Sequence, residues 1–142
     1  MLNRLMITVS CGAVLAGAGI GTAFAHHSFA AEFNADDPVT LHGTITQMEW
    51  INPHTWMHVD VKNEDGSITP WMIEGGTPNT LMRRGFTMQT VKEGTEITIM
   101  GYRARNGSNR ANGRDLILED GTHLFMGSNG TGAPGDDATG GE

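Results

Sequence analysis

His26 and His27 follow directly on Ala23-Phe24-Ala25, and this junction offers the most reactive chemistry in the chain. A cut after Ala25 leaves His26 with a free α-amine beside its imidazole. Two nitrogens of one residue then close a five- to six-membered chelate, the kind of nitrogen donor set that copper(II) favours in a square arrangement. One more imidazole completes a T-shaped set of three nitrogens. His54 and His58 are the candidates for it, since His54 sits at the mouth of the first expected hairpin and His58 four residues on faces outward. A metal takes the neutral imidazole, so such a site weakens as pH falls through the histidine range. The alternative for each residue is structural. Pro53-His54-Thr55-Trp56 also reads as a turn whose histidine bonds the backbone, and His58 as a cross-strand partner of Thr44 or Thr46. His26-His27 would then be a pair tolerated at a loose terminus. His42 and His123 read as structural or solvated.

The cut itself rests on an export-signal pattern. Met1 to Arg4 make a short basic start, Leu5 to about Ala18 an uncharged apolar run, and Ala23-x-Ala25 supplies the small residues a signal peptidase needs. Residues 1–25 are therefore expected to leave, and the protein to be periplasmic or secreted. The remainder is 117 residues with no cysteine, since Cys11 goes with the signal, so packing alone or with a ligand must hold one modest core. With 8 basic against 16 acidic residues it has little attraction for nucleic acid or anionic membranes and tolerates cations. Expected partners are a metal ion or small ligand and a periplasmic protein, with no membrane contact after cleavage.

Two further constellations compete with the histidines. Trp50, Trp56 and Trp71 could form a stacking surface beside His54 and His58, or serve as half-buried covers of a small barrel. Arg103, Arg105, Arg110 and Arg114 put half of the mature basic residues into one polar stretch, which could grip a carboxylate or phosphate through forked contacts or pair with Asp115, Glu119 or Asp120. Seven of the nine methionines lie beyond the expected cut, scattered, and most of them read as packing residues. No nucleophile elbow, phosphate loop or HExxH helix is present, and no cysteine beyond the expected cut, so the chain is not expected to be an enzyme. A copper-dependent oxidase ranks third.

The elements that must position these residues are short strands. Val39, Leu41, Gly43 and Ile45 alternate with threonines and His42 as a first strand, broken at Asn52-Pro53-His54. Trp56 to Lys62 and Ile68 to Glu74 flank the Asp65-Gly66 turn as a hairpin. Thr77 as N-cap, Pro78 in the first turn, Arg83 and Arg84 in the last and Gly85 beyond mark one short helix. Strands follow at Glu96 to Tyr102, Asp115 to Glu119 and His123 to Met126, with Arg103 to Arg114 read as a polar loop. The prediction is all-β with one short helix: an OB-fold-like, five- to six-stranded Greek-key barrel over 38–127, the helix plugging its end between the third and fourth strands. Residues 26–37 form an N-terminal arm anchored by Phe29 and Phe33, and 128–142 a disordered Gly-rich tail. In an OB-fold the ligand face is that of the second and third strands, where the tryptophans fall.

The blocks His26-His27-Ser28-Phe29-Ala30-Ala31-Glu32-Phe33, Trp50-Ile51-Asn52-Pro53-His54-Thr55-Trp56, Glu74-Gly75-Gly76-Thr77-Pro78-Asn79 and Gly107-Ser108-Asn109-Arg110-Ala111-Asn112-Gly113-Arg114-Asp115 resemble those of a small exported bacterial family, domain of unknown function family 6152. The resemblance runs from about His26 to Gly127. It implies an exported periplasmic Gram-negative protein and supplies no activity. The first-residue histidine alone is also similar to copper carriers of the CopC type and to oxidative polysaccharide enzymes. Only His26 corresponds, and their immunoglobulin-like strand pattern is missing here, so that likeness concerns a site and not a fold.

Overall fold

The computed structural model describes residues 29–127 and Pro134. The expected export segment, His26 and His27, and the expected tail apart from Pro134 lie outside the described residues.

Six strands form one sheet: β1 (Phe33–Glu49), β2 (Trp56–Lys62), β3 (Ile68–Glu74), β4 (Glu96–Ala104), β5 (Arg110–Leu118) and β6 (His123–Phe125). Their order is β3-β2-β1-β4-β5-β6, and a parallel pairing of Met72–Glu74 with Arg110–Asn112 joins β3 to β5. The sheet thereby closes into a barrel-like ring, β1-β2-β3-β5-β4, with the strand order and helix position expected of an OB-like fold. All other pairings are antiparallel.

β1 serves two neighbours, its first part pairing with β4 and its last with β2. Gly43 is opposite a partner on both sides, Val61 and Ile97, and a side chain there would run into the Asp60 carbonyl. Only glycine allows the neighbouring strand so close at this bend. A register shift between Ile45 and Gln47 then bulges the strand and adds to its curl. Beyond it the chain turns at Asn52-Pro53, whose peptide is cis.

Alternation carries Leu41, Ile45, Met57, Val59, Trp71, Ile73, Ile97, Ile99 and Leu116 inward to a single core. Leu81 of the helix Pro78–Arg83 and the following Phe86 and Val91 are fully buried and stop one end of the ring. The helix starts where the sequence says: the Thr80 N–H donates to Thr77 Oγ1 at 3.4 Å, Pro78 occupies the first turn, and Gly85 takes φ 92° just past the end. Pro70 is exposed on the half of β3 that has no β5 partner, a placement where a missing N–H costs little.

β4 runs on to Ala104, past the expected Tyr102, so Arg103 lies in a strand and not in the expected loop, and two strand starts also differ from expectation. β1 begins at Phe33 and not at Val39, and β5 at Arg110 and not at Asp115, so Arg110 and Arg114 belong to a strand and not to a loop. Both extensions are rich in Asn, Asp and Gly and are strand only because tertiary partners are available: Phe33 opposite Ala104, and Arg110–Asn112 opposite β3. The extra stretch of β1 holds a second small core in which Phe29, Phe33, Tyr102 and Ala104 are buried together. Residues 29–32 form a helical turn, and the Phe29 ring meets Tyr102 edge-on at 5.6 Å.

Candidate functional site

Residues opposite one another in a sheet share a face, so the pairing register lays out the outer surface. One row runs Tyr102, Asn112, Glu74, Trp56, Glu49 across β4, β5, β3, β2 and β1; the next runs Arg110, Met72, His58, Gln47. The polar residues that the sequence singles out thus come together on the outer face of the second and third strands and on the start of β5. The N-terminal arm lies over the β4 end of the first row, where Phe29 covers Tyr102.

The centre of this surface is unusual in being dry. Glu74 is 8 % exposed and Asn112 5 %, although both sit on the outer side of the sheet. Burial pushes the Glu74 carboxyl above its ordinary value and Glu32 on the arm adds to the rise. His54, Arg110 and a side-chain hydrogen bond from Asn112 oppose it. Next to it the Thr55 hydroxyl is buried with no partner among the described residues, while the Thr55 backbone is tied to Gly75 and Gly76.

His54 and His58 are held differently. His54 Nδ1 lies 3.3 Å from the Gly75 carbonyl oxygen and 3.5 Å from Glu74 Oε1. A carbonyl and a carboxylate oxygen both accept only, so together they favour the neutral ring with its proton on Nδ1 and the Nε2 lone pair left for another partner. His58 instead has Nε2 2.6 Å from Glu49 Oε1, and its Nδ1 has no partner among the described residues. Each histidine is directed to its own carboxylate. Among the described residues no three His, Cys, Asp or Glu converge to hold a metal ion, and His26 lies outside them.

Of the three tryptophans, Trp56 alone lies on this face. It is half-buried, with the Arg110 guanidinium 4.9 Å from the centre of its ring. Trp71 is 7 % exposed and belongs to the core, because it stands opposite the inward Val59, and Arg103 covers its ring at 5.1 Å. Trp50 packs partly buried against the same core.

The four arginines do not make one free loop. Arg105 donates from Nε to the Ala30 carbonyl at 2.8 Å and from its backbone N–H to that of Glu32 at 2.9 Å. Arg110 faces Glu32 at 3.6 Å, and Arg114 faces Asp115 at 3.6 Å. Two of the four therefore fasten the arm to the barrel. Sequence reasoning missed Glu32 and Asn112, whose roles depend on a strand pairing that no local pattern announces. A separate groove of about 520 Å³ is bordered by His42, Thr44, Asp60, Lys62, Glu96 and Thr98 and includes none of these residues.

No curated protein and no solved structure matches the chain. The model of a family of unknown function, DUF6152, matches residues 13–113, most of the sequence. An outer face built around Glu74, His54 and Trp56, with an arm fastened over it, is therefore set in a small β-rich fold whose family has no assigned activity, and the chain belongs to DUF6152.

Proposed function

We propose that the protein is an exported periplasmic binding module that holds Cu(II) between the mature N-terminal His26, through amine and imidazole, and Nε2 of His54. The observation that carries this reading is the fastening of the arm. Phe29 and Phe33 are buried on Tyr102 and Ala104, Arg105 binds Ala30, and Arg110 faces Glu32, which in turn acts on Glu74 beside His54. His26 lies three positions before Phe29, a span of at most about 10 Å. A terminus with no task needs no such anchorage.

His54 supports the reading because its Nδ1 is engaged by a carbonyl with a carboxylate nearby, the arrangement that turns a histidine's other nitrogen toward a metal. It is preferred to His58, whose ring tip is occupied by Glu49. The test is calorimetric titration of Cu(II) into protein beginning at His26 and into protein with one residue added ahead of it. The extended form should bind at least about tenfold more weakly, or about 1.4 kcal/mol. Equal binding by the two forms rejects the reading.

A second reading is favoured by Trp56. A half-exposed ring stacked on Arg110 beside buried Glu74 and Asn112 suits a saccharide or an anionic ligand in a metal-free interaction module. It requires that mature protein ignore Cu(II) and that Trp56→Ala abolish binding of soluble oligosaccharides or anions observed by NMR titration.

A further inference from the structure

A carboxylate buried on the outer side of a sheet costs stability unless its charge is used or matched. Glu74 is such a group. It lies next to the residue it contacts, since Thr55 pairs with Gly75 and Gly76 and so lays His54 across the end of β3. Asn112 hydrogen-bonds the carboxyl from β5, and Arg110 and the arm's Glu32 act on it electrostatically. The carboxyl is thus held by Asn112, and His54 is the histidine within its reach, at 3.5 Å.

We infer that Glu74 is the positioning residue for His54, holding the ring together with the Gly75 carbonyl so that Nε2 is the nitrogen offered to the metal. The inference rests on the copper reading for its purpose, but the orientation exists without metal. Two acceptors flank Nδ1, the Gly75 oxygen at 3.3 Å and the Glu74 oxygen at 3.5 Å. Both favour the Nδ1–H tautomer, whereas a free imidazole in water is not bound to either form. Outer partners of this kind are worth about 10- to 100-fold in metal affinity. Glu74 itself is turned to the inner nitrogen and is not assigned as a ligand.

The experiment uses mature full-length protein, wild type, Glu74→Gln, Glu74→Ala and His54→Ala, each checked for a cooperative thermal transition. Long-range nitrogen–proton NMR at mildly alkaline pH, without metal, reads the His54 tautomer. Wild type should show Nδ1–H, and both Glu74 variants a mixture. Cu(II) titration should then show a loss of about tenfold or more in Glu74→Ala, with the electron paramagnetic resonance spectrum moving toward that of His54→Ala. Glu74→Gln, which keeps one acceptor oxygen and the shape, guards against a misfolded alanine variant and should lose less. An unchanged tautomer in both Glu74 variants overturns the inference, whatever happens to copper. A tautomer that shifts in the Glu74 variants, together with wild-type protein that binds no copper, overturns the copper reading, and with it the role of Glu74 at a metal.

Discussion

The Arg105 guanidinium donates from Nε to the Ala30 carbonyl oxygen at 2.8 Å, across 75 residues of sequence. With the backbone bond from Arg105 to Glu32 it joins the end of β4 to the turn that precedes β1. The bond is exposed, so its removal should cost only about 0.5–1.5 kcal/mol of global stability. Its local effect should be larger. Arg105→Ala is expected to raise amide exchange and protease sensitivity around residues 29–33 while the exchange of β2 and β3 stays as in wild type, because the arm packs in its own small core. Hydrogen exchange by mass spectrometry checks this; uniform loosening of all strands would contradict it.

Gly101 and Gly113 face one another across β4 and β5, yet they should differ in tolerance. A Cβ on Gly101 would run into the backbone carbonyl of Asn112, which is held in the sheet and cannot retreat. A Cβ on Gly113 meets side chains, Met126 Sδ at 2.5 Å and Ile73 Cγ2 at 2.7 Å, and methionine can repack. Gly101→Ala should therefore lose more than Gly113→Ala, with overpacking costs of about 1–3 kcal/mol setting the scale. Urea denaturation of the two variants measures the order, and Gly113→Ala as the worse of the pair would refute it.

What the sequence made legible follows from how local each signal is. β2 and β3 were readable to the residue because a period-two apolar pattern brackets an Asp-Gly turn, and the helix because Thr77, Pro78 and Gly85 act within a few residues of one another. The starts of β1 and β5 were not, since Asn34 to Asp37 and Asn112-Gly113 have poor strand propensity, and Phe33 and Asn112 meet their partners Ala104 and Glu74 only through contacts distant in sequence. The site divides the same way. His54, His58 and Trp56 stood out by type, but the inward turn of Trp71 and the clamping role of Arg105 and Arg110 depend on register and on the arm.

Glu74 gives the apo protein a pH dependence with a definite sign. Its carboxyl titrates above the ordinary value of 4.5, chiefly because it is buried. Between 4.5 and the raised value the folded chain keeps a proton that the unfolded chain has released, so this residue's contribution to stability falls as pH rises through that window. Glu74→Gln removes the titration. Relative to wild type it should gain stability on going from about pH 4 to about pH 7, even though it weakens the hold on His54. Thermal melts at both pH values decide the matter, and a stability difference that is flat or moves the other way would show that the buried carboxyl is ionised without penalty.

The two candidate histidines should separate cleanly. His54 has Nδ1 on the Gly75 carbonyl and its ring tip without a partner among the described residues, whereas His58 has its tip 2.6 Å from Glu49. His54→Ala in mature protein should weaken Cu(II) binding by about tenfold or more, equivalent to about 1.4 kcal/mol, and should remove one nitrogen from the copper spectrum. His58→Ala should leave affinity and spectrum unchanged, and should cost a modest amount of stability through its lost pairing with Glu49, which is part-buried and worth about 1 kcal/mol. The reverse pattern, copper lost with His58 and kept without His54, would mean that the arm delivers His26 along the row of Met72 and Gln47 and not to the end of β3. Loss in both variants would mean that two imidazoles join the terminal chelate, which requires Glu49 to release His58 on metal binding. Glu49→Gln then becomes the informative variant, since it should tighten copper in that case and have no effect if His54 acts alone.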